Sequence, residues 1–143
     1  MTIHQIVYSS IATKKILKSD LVIILRKART NNRFSEVTGL LIYVDGHFLQ
    51  ILEGEKGKVH KVFSKISLDA RHKDCQVIYE GDSDRRYFPR WEMAYASPSA
   101  NELSAWSGLH DTTSIESAIA KIKDAPEFIS KICNNAILKN IAD

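Results

Sequence analysis

Gln50 stands in the run HFLQILEG (47–54), with Phe48 two residues before it and Leu52 two residues after it. Residues two apart on a strand share a face. Phe48, Gln50 and Leu52 therefore lie on one side, and His47, Leu49 and Ile51 on the other. A primary amide buried among such neighbours without a partner costs about 1–3 kcal/mol. The pattern asks for something that bonds it.

More familiar chemistry does not turn up. There is no GxGxxG or Walker loop, and GEKG (54–57) reads as a turn into a helix rather than a phosphate cradle. His4, His47, His60, His72 and His110 are dispersed and make no metal-ligand spacing, so no metal is expected. No serine occupies a GxSxG elbow. Cys75 and Cys133 form neither CxxC nor a metal pattern and are expected to be reduced thiols.

The elements that must position Gln50 follow from periodicity. Residues 2–8 (TIHQIVY) alternate as a strand, with His4, Ile6 and Tyr8 on one face. Ser19-Asp20 can cap a helix. Its stripe is Leu21, Ile24, Leu25 and Ala28, and Asn31-Asn32 suit its end. VTGLLIYV (37–44) and HFLQILEG flank Asp45-Gly46, a strong hairpin signal. That turn pairs Val44 with His47, Tyr43 with Phe48 and Leu41 with Gln50. Val59, Val62, Phe63 and Ile66 mark a second helix, CQVIYEG (75–81) a fourth strand and RWEMAYA (90–96) a fifth.

The expected fold is α+β: a ferredoxin-like β-α-β-β-α-β sheet with a fifth strand and two helices on one face. Both faces of the hairpin are apolar, so both should be covered. SPS (97–99) marks a break, and helices are expected near 100–109, 114–123 and 126–139. We assign them to the sheet's second face, giving a domain over 1–97 and a helical extension over 98–143.

The chain has 143 residues, 44% hydrophobic and 26% charged, with a net charge of +3. That is ordinary for one soluble domain. Basic residues are scattered, which argues against a nucleic-acid groove, and the pairs 14–15 (KK) and 85–86 (RR) read as solvated surface. No apolar run approaches the ~20 residues of a membrane span, and the opening MTIHQIVYSS is too polar for a signal peptide. A cytoplasmic location without membrane contact is expected.

On IVYSS (6–10), ARTNNRFSEVTGLLIYVDGHFLQILEGE (28–55), LDARH (68–72) and FPRWEMAY (88–95), the chain resembles the BLUF domain, a family of blue-light sensors using FAD. The resemblance covers about residues 1–97. It implies non-covalent FAD, held between the two helices against the Gln50 face. Tyr8 matches the family's redox-active tyrosine and Gln50 its switching glutamine. Asn31 and Asn32 match the asparagines that bond the ring's polar edge. Ile24, Phe48 and Leu52 match apolar contacts, while Lys65 and Arg71 fall near the ribityl-phosphate arm. Trp91 and Met93 match two fifth-strand positions that exchange places near the ring. Ala28 departs from the pattern, because many members carry serine there.

The resemblance implies a photoreceptor and not an enzyme. Light-driven electron and proton transfer from Tyr8 would rearrange the hydrogen bonds of Gln50 and red-shift the flavin. The signal would pass to a downstream signalling protein or through a homo-oligomer. A small flavin oxidoreductase and a chromophore-free interaction domain are the alternatives. Taken singly, Tyr8 is also a sheet tyrosine, Asn31-Asn32 a helix stop, and Trp91 and Met93 plain core. Together at family spacing they read as a site.

Overall fold

Asp45 and Gly46 both adopt positive φ, 48° and 78°, as a two-residue hairpin turn of the primed type requires. That turn sets β2 (Thr38–Val44) against β3 (His47–Gly54). The register is the expected one: Val44 opposite His47, Tyr43 opposite Phe48, Leu41 opposite Gln50. Gly39 is needed at the far end, where a Cβ would lie 1.8 Å from the Ile51 carbonyl oxygen.

A computed structural model of the chain describes residues 2–87 and 93–96. The remaining elements are β1 (Ile3–Ala12), α1 (Lys18–Ser35), α2 (Lys56–Ser67), β4 (His72–Ser83) and β5 (Ala94–Ala96). The strands form one sheet in the order β4-β1-β3-β2-β5. β5 runs parallel to β2, and every other pairing is antiparallel. This is the ferredoxin-like arrangement with an added strand.

Several boundaries move. α1 continues past Asn31-Asn32 to Ser35, and the chain leaves it at Glu36, whose φ of 55° is left-handed. The Glu36 N–H bonds back to the Arg33 and Asn32 carbonyls, so the stop lies four residues beyond Asn32. The two asparagines instead occupy the last turns of the helix. At the other end Leu17 is the cap position, and Asp20 accepts from the Leu17 N–H at 2.9 Å. Asp20 therefore caps from inside the first turn. Glu55 caps α2 by accepting from the Gly57 N–H at 2.9 Å, which makes GEKG a helix entry.

β1 and β4 are longer than their alternation suggests because they pair along nearly their whole length, with irregularities at Val7/Tyr8 and Ser9/Ile11. Arg86 is not solvated surface. Its Nη1 donates to Thr38 Oγ1 (2.9 Å) and the Glu53 carbonyl (3.0 Å), and its Nη2 to the Glu36 carbonyl (2.8 Å). It ties the chain after β4 to the start of β2.

Ile6, Leu41, Leu52, Val59 and Val62 are buried together between the helices and the sheet. Each such side chain contributes about 1.5–3 kcal/mol. On the opposite face Val7, Leu40, Ile42, Leu49 and Ile51 are also buried, so both hairpin faces are covered. The expected tail helices over 98–143, Cys133 and Trp91 lie outside the described residues. Among the described residues, no helix is long and apolar enough to cross a membrane.

Candidate functional site

The two helices do not close completely over the sheet. Between them lies a cleft of about 310 Å³. Its floor is Tyr8 from β1, Leu41 from β2, and Phe48 and Gln50 from β3. Ile24, Ala28, Asn31 and Asn32 line it from α1, and Val62, Lys65 and Ile66 from α2. Asn31 and Asn32 come from the last two turns of the helix, so extending α1 leaves both at the cleft.

The floor carries a hydrogen-bonded chain. Tyr8 and Gln50 are direct partners in the β1–β3 register, so their side chains leave the same face as near neighbours. The Tyr8 hydroxyl donates to Gln50 Oε1, and Gln50 Nε2 donates to Met93 Sδ at 3.3 Å. A thioether sulfur can only accept, so the NH₂ end belongs on the Met93 side and the carbonyl end on Tyr8. The amide has two N–H donors and two lone pairs. These two contacts use one of each, leaving one N–H and one lone pair on a residue that lines the cleft.

Tyr8, Gln50 and Met93 are 2%, 3% and 0% exposed, so water cannot replace these partners. Burial pushes the Tyr8 phenol well above its ordinary value, and charge at Cys75 and Asp69 adds to it. The phenol is therefore held neutral. Met93 is fixed in turn by Arg29 of α1, whose Nε donates to the Met93 carbonyl at 3.1 Å.

Sequence reasoning gave no role to several groups here. His72 stands edge-on to Tyr8 and Phe48, with ring centroids 6.1 and 6.2 Å away. Its Nε2 meets the Ile66 carbonyl at 2.6 Å and its Nδ1 the Ser10 hydroxyl at 2.7 Å. A carbonyl can only accept, so Nε2 carries the proton. His72 thus ties β4 to α2 and β1 beside the tyrosine.

At the mouth, Lys27, Lys65 and Arg71 bring cationic groups to the rim. Arg71 Nη1 sits 2.9 and 3.2 Å from the two Asp69 oxygens, and the Arg71 backbone N–H donates to Asp69 Oδ1 at 2.9 Å. Burial pushes the Asp69 carboxyl up, but the Arg71 N–H and guanidinium outweigh it and hold the group below its usual range.

Of the residues expected at the site, Tyr8, Ile24, Asn31, Asn32, Phe48, Gln50, Lys65 and Arg71 line the cleft. Met93 does not line it but holds the Gln50 amide. Leu52, on the Gln50 face, is fully buried and packs in the core rather than on the cleft wall. Lys27 joins the site from α1, and Asp69 and His72 join it because the fold brings the α2–β4 turn and the start of β4 there. The only local signal for the last two was the run LDARH.

A family model for BLUF, described as sensors of blue light using FAD, matches residues 3–94. The chain is 33% identical over 113 residues to photoactivated adenylate cyclase subunit beta of Euglena longa, a match covering 79% of this chain and 13% of that protein. It therefore spans only a small part of this curated relative. Among solved structures, the ground state of BlsA is 28% identical with a TM-score of 0.75, covering 93% of this chain and 88% of that one. The dark state of BlrB, a BLUF protein, is 26% identical with a TM-score of 0.71, a match covering 92% of each chain.

Proposed function

The chain belongs to the BLUF family of blue-light sensors, and from that premise we propose that it is a photoreceptor holding FAD non-covalently between α1 and α2, with Tyr8 and Gln50 as its switch. The cleft suits a flavin. Its volume sits at the lower end of the roughly 300–1,000 Å³ that encloses a drug-sized ligand. Ile24, Phe48 and Val62 offer apolar surface, and Asn31, Asn32 and Gln50 offer amide donors and acceptors. Lys27, Lys65 and Arg71 offer charge for phosphates at the mouth. Cys75 is not among the lining residues, which favours non-covalent attachment.

Bound flavin supplies the blue absorption and an excited state able to accept an electron. The rest belongs to the chain. Tyr8 gives up an electron and its Oη proton and takes both back. While the proton is away, Gln50 Oε1 loses its donor and the amide is free to exchange its donor and acceptor ends, by rotation or tautomerisation. The returning proton locks the new arrangement, whose cleft-side hydrogen bond red-shifts the absorption. Gln50 Nε2 then no longer serves Met93 Sδ, and the change reaches β5 through Met93 and its Arg29 bond.

We further propose that residues 98–143 form an extension over the sheet's second face, whose buried Leu40, Ile42, Leu49 and Ile51 call for a cover. A shift in that extension, or Trp91 exchanging with Met93 beside the ring, would alter contacts with a partner protein or a second copy in the cytoplasm. The Euglena relative is by name a photoactivated adenylate cyclase, so an effector domain is one form such a partner takes.

The observation that carries the reading is the Tyr8–Gln50–Met93 chain on the floor of a cleft in a BLUF-family fold. Absorption spectra before and after blue light test it. The purified protein should be yellow, release FAD on denaturation, and show a red shift that decays in the dark. Failure to reconstitute with any flavin, or steady turnover of a nicotinamide nucleotide without a reversible shift, overturns it.

A further inference from the structure

Four residues before Tyr8 on β1, about 13 Å along the strand, His4 forms part of a cluster that the light-sensing role does not use. His4 is 5% exposed. His4 Nε2 lies 2.6 Å from Glu80 Oε2, and His60 Nε2, from α2, lies 2.7 Å from the same oxygen. The two imidazole rings stack at 5.4 Å. Three side chains from β1, α2 and β4 thus bring one ligand atom each to within 4.8 Å of one another.

The geometry points to a divalent transition-metal site of the zinc type, with His4 Nε2, His60 Nε2 and a Glu80 carboxylate oxygen as protein ligands and water completing the shell. Two imidazoles and a carboxylate are a recognised zinc donor set. Tetrahedral bonds of about 2.0–2.1 Å put ligand atoms roughly 3.3 Å apart. The Nε2–Oε2 contacts need to open by only about 0.7 Å to admit the ion.

The surroundings fit as well. His4 Nδ1 lies 2.7 Å from Asp82 Oδ1. A carboxylate on the far nitrogen fixes the tautomer that presents Nε2 to a metal and raises its basicity. On coordination the ion replaces the Nε2 protons that now bridge to Glu80, while His4 keeps its Nδ1 proton on Asp82. The His60 and Glu80 side chains are 46% and 36% exposed, so an ion can enter from solvent. No motif announced the site, because His4, His60 and Glu80 come from three separate elements and make no local spacing.

Bound metal would tie α2, one wall of the flavin cleft, to the β1–β4 edge. This is independent of light sensing and is read without it. The purified full chain, free of any affinity tag, is titrated with zinc chloride by calorimetry and melted with and without zinc. We expect one zinc per chain at micromolar or tighter affinity and a raised melting temperature. His60→Ala and Glu80→Gln should each abolish stoichiometric binding and the melting shift. Asp82→Asn should weaken binding about 10–100-fold, and His47→Ala should leave it unchanged. No saturable binding up to ~1 mM zinc, the weak end of measurable affinity, overturns the site. So does stoichiometric binding that survives both His60→Ala and Glu80→Gln, each melted without zinc to show that it folds.

Discussion

The Tyr8–Gln50 contact can be tested as an interaction and as a switch in one experiment. Tyr8→Phe leaves Gln50 Oε1 without its donor, and Gln50→Leu leaves the Tyr8 hydroxyl without its acceptor. Both sites are at most 3% exposed, so water does not replace the lost partner. Each single change should cost about 1–3 kcal/mol, the range for an orphaned buried polar group. In the double variant both polar groups are gone. Its cost should therefore fall short of the sum of the singles by about 1–2 kcal/mol. For a chain of this length 1 kcal/mol corresponds to about 4 °C. The assay is thermal or urea unfolding in the dark at one fixed free-flavin concentration, since ligand excess alone shifts the midpoint. Light-minus-dark spectra of the same samples supply the second reading. All three variants should bind flavin, and none should show the persistent red shift. Costs that add to within ~0.5 kcal/mol would refute the buried hydrogen bond. A normal photocycle in Gln50→Leu would refute the switch whatever the stability data say.

Met93→Leu conserves volume and should cost less than about 1.5 kcal/mol, but it removes the acceptor of Gln50 Nε2. The red shift should persist with a changed dark-recovery rate, and its disappearance would contradict the role given to the thioether. Leu52→Ala should destabilise by about 2–5 kcal/mol in urea unfolding while leaving the dark absorption maximum in place, because Leu52 packs beneath the cleft rather than in it. A displaced maximum would count against that assignment. Asp69 is held below its ordinary value of 3.8 in the folded protein, so its stabilising contribution is complete above about that pH and disappears as pH falls through the lower native value. Asp69→Asn should flatten the acid limb of the stability–pH curve below pH 3.8. An unchanged limb would show the Arg71 pairing to be energetically silent.

Local pattern was enough for everything that depends on near neighbours. Alternation around Asp45-Gly46 gave the hairpin register residue by residue, and with it the face that holds Phe48, Gln50 and Leu52. Helical spacing of Val59, Val62 and Ile66 gave α2, and the element order gave the ferredoxin-like plan. The end of α1 was misjudged because asparagine favours a helix stop only as a local preference. Helical bonding carried the chain on to Glu36, the residue that takes the left-handed conformation. Arg86 read as a surface charge because its three partners, Glu36, Thr38 and Glu53, lie dozens of residues away.

The site shows the same division. That Gln50 needs a partner follows from its place between Phe48 and Leu52. That the partner within the chain is Tyr8, 42 residues earlier, follows only once β1 lies beside β3. His72 and Asp69 reach the cleft because α2 returns the chain to β4, and His4, His60 and Glu80 converge because β1 and β4 pair beneath that helix. A sequence records which face a side chain takes, since that is a property of the local backbone. It does not record which faces meet, since that is decided by packing elements whose separation along the chain leaves no periodic trace.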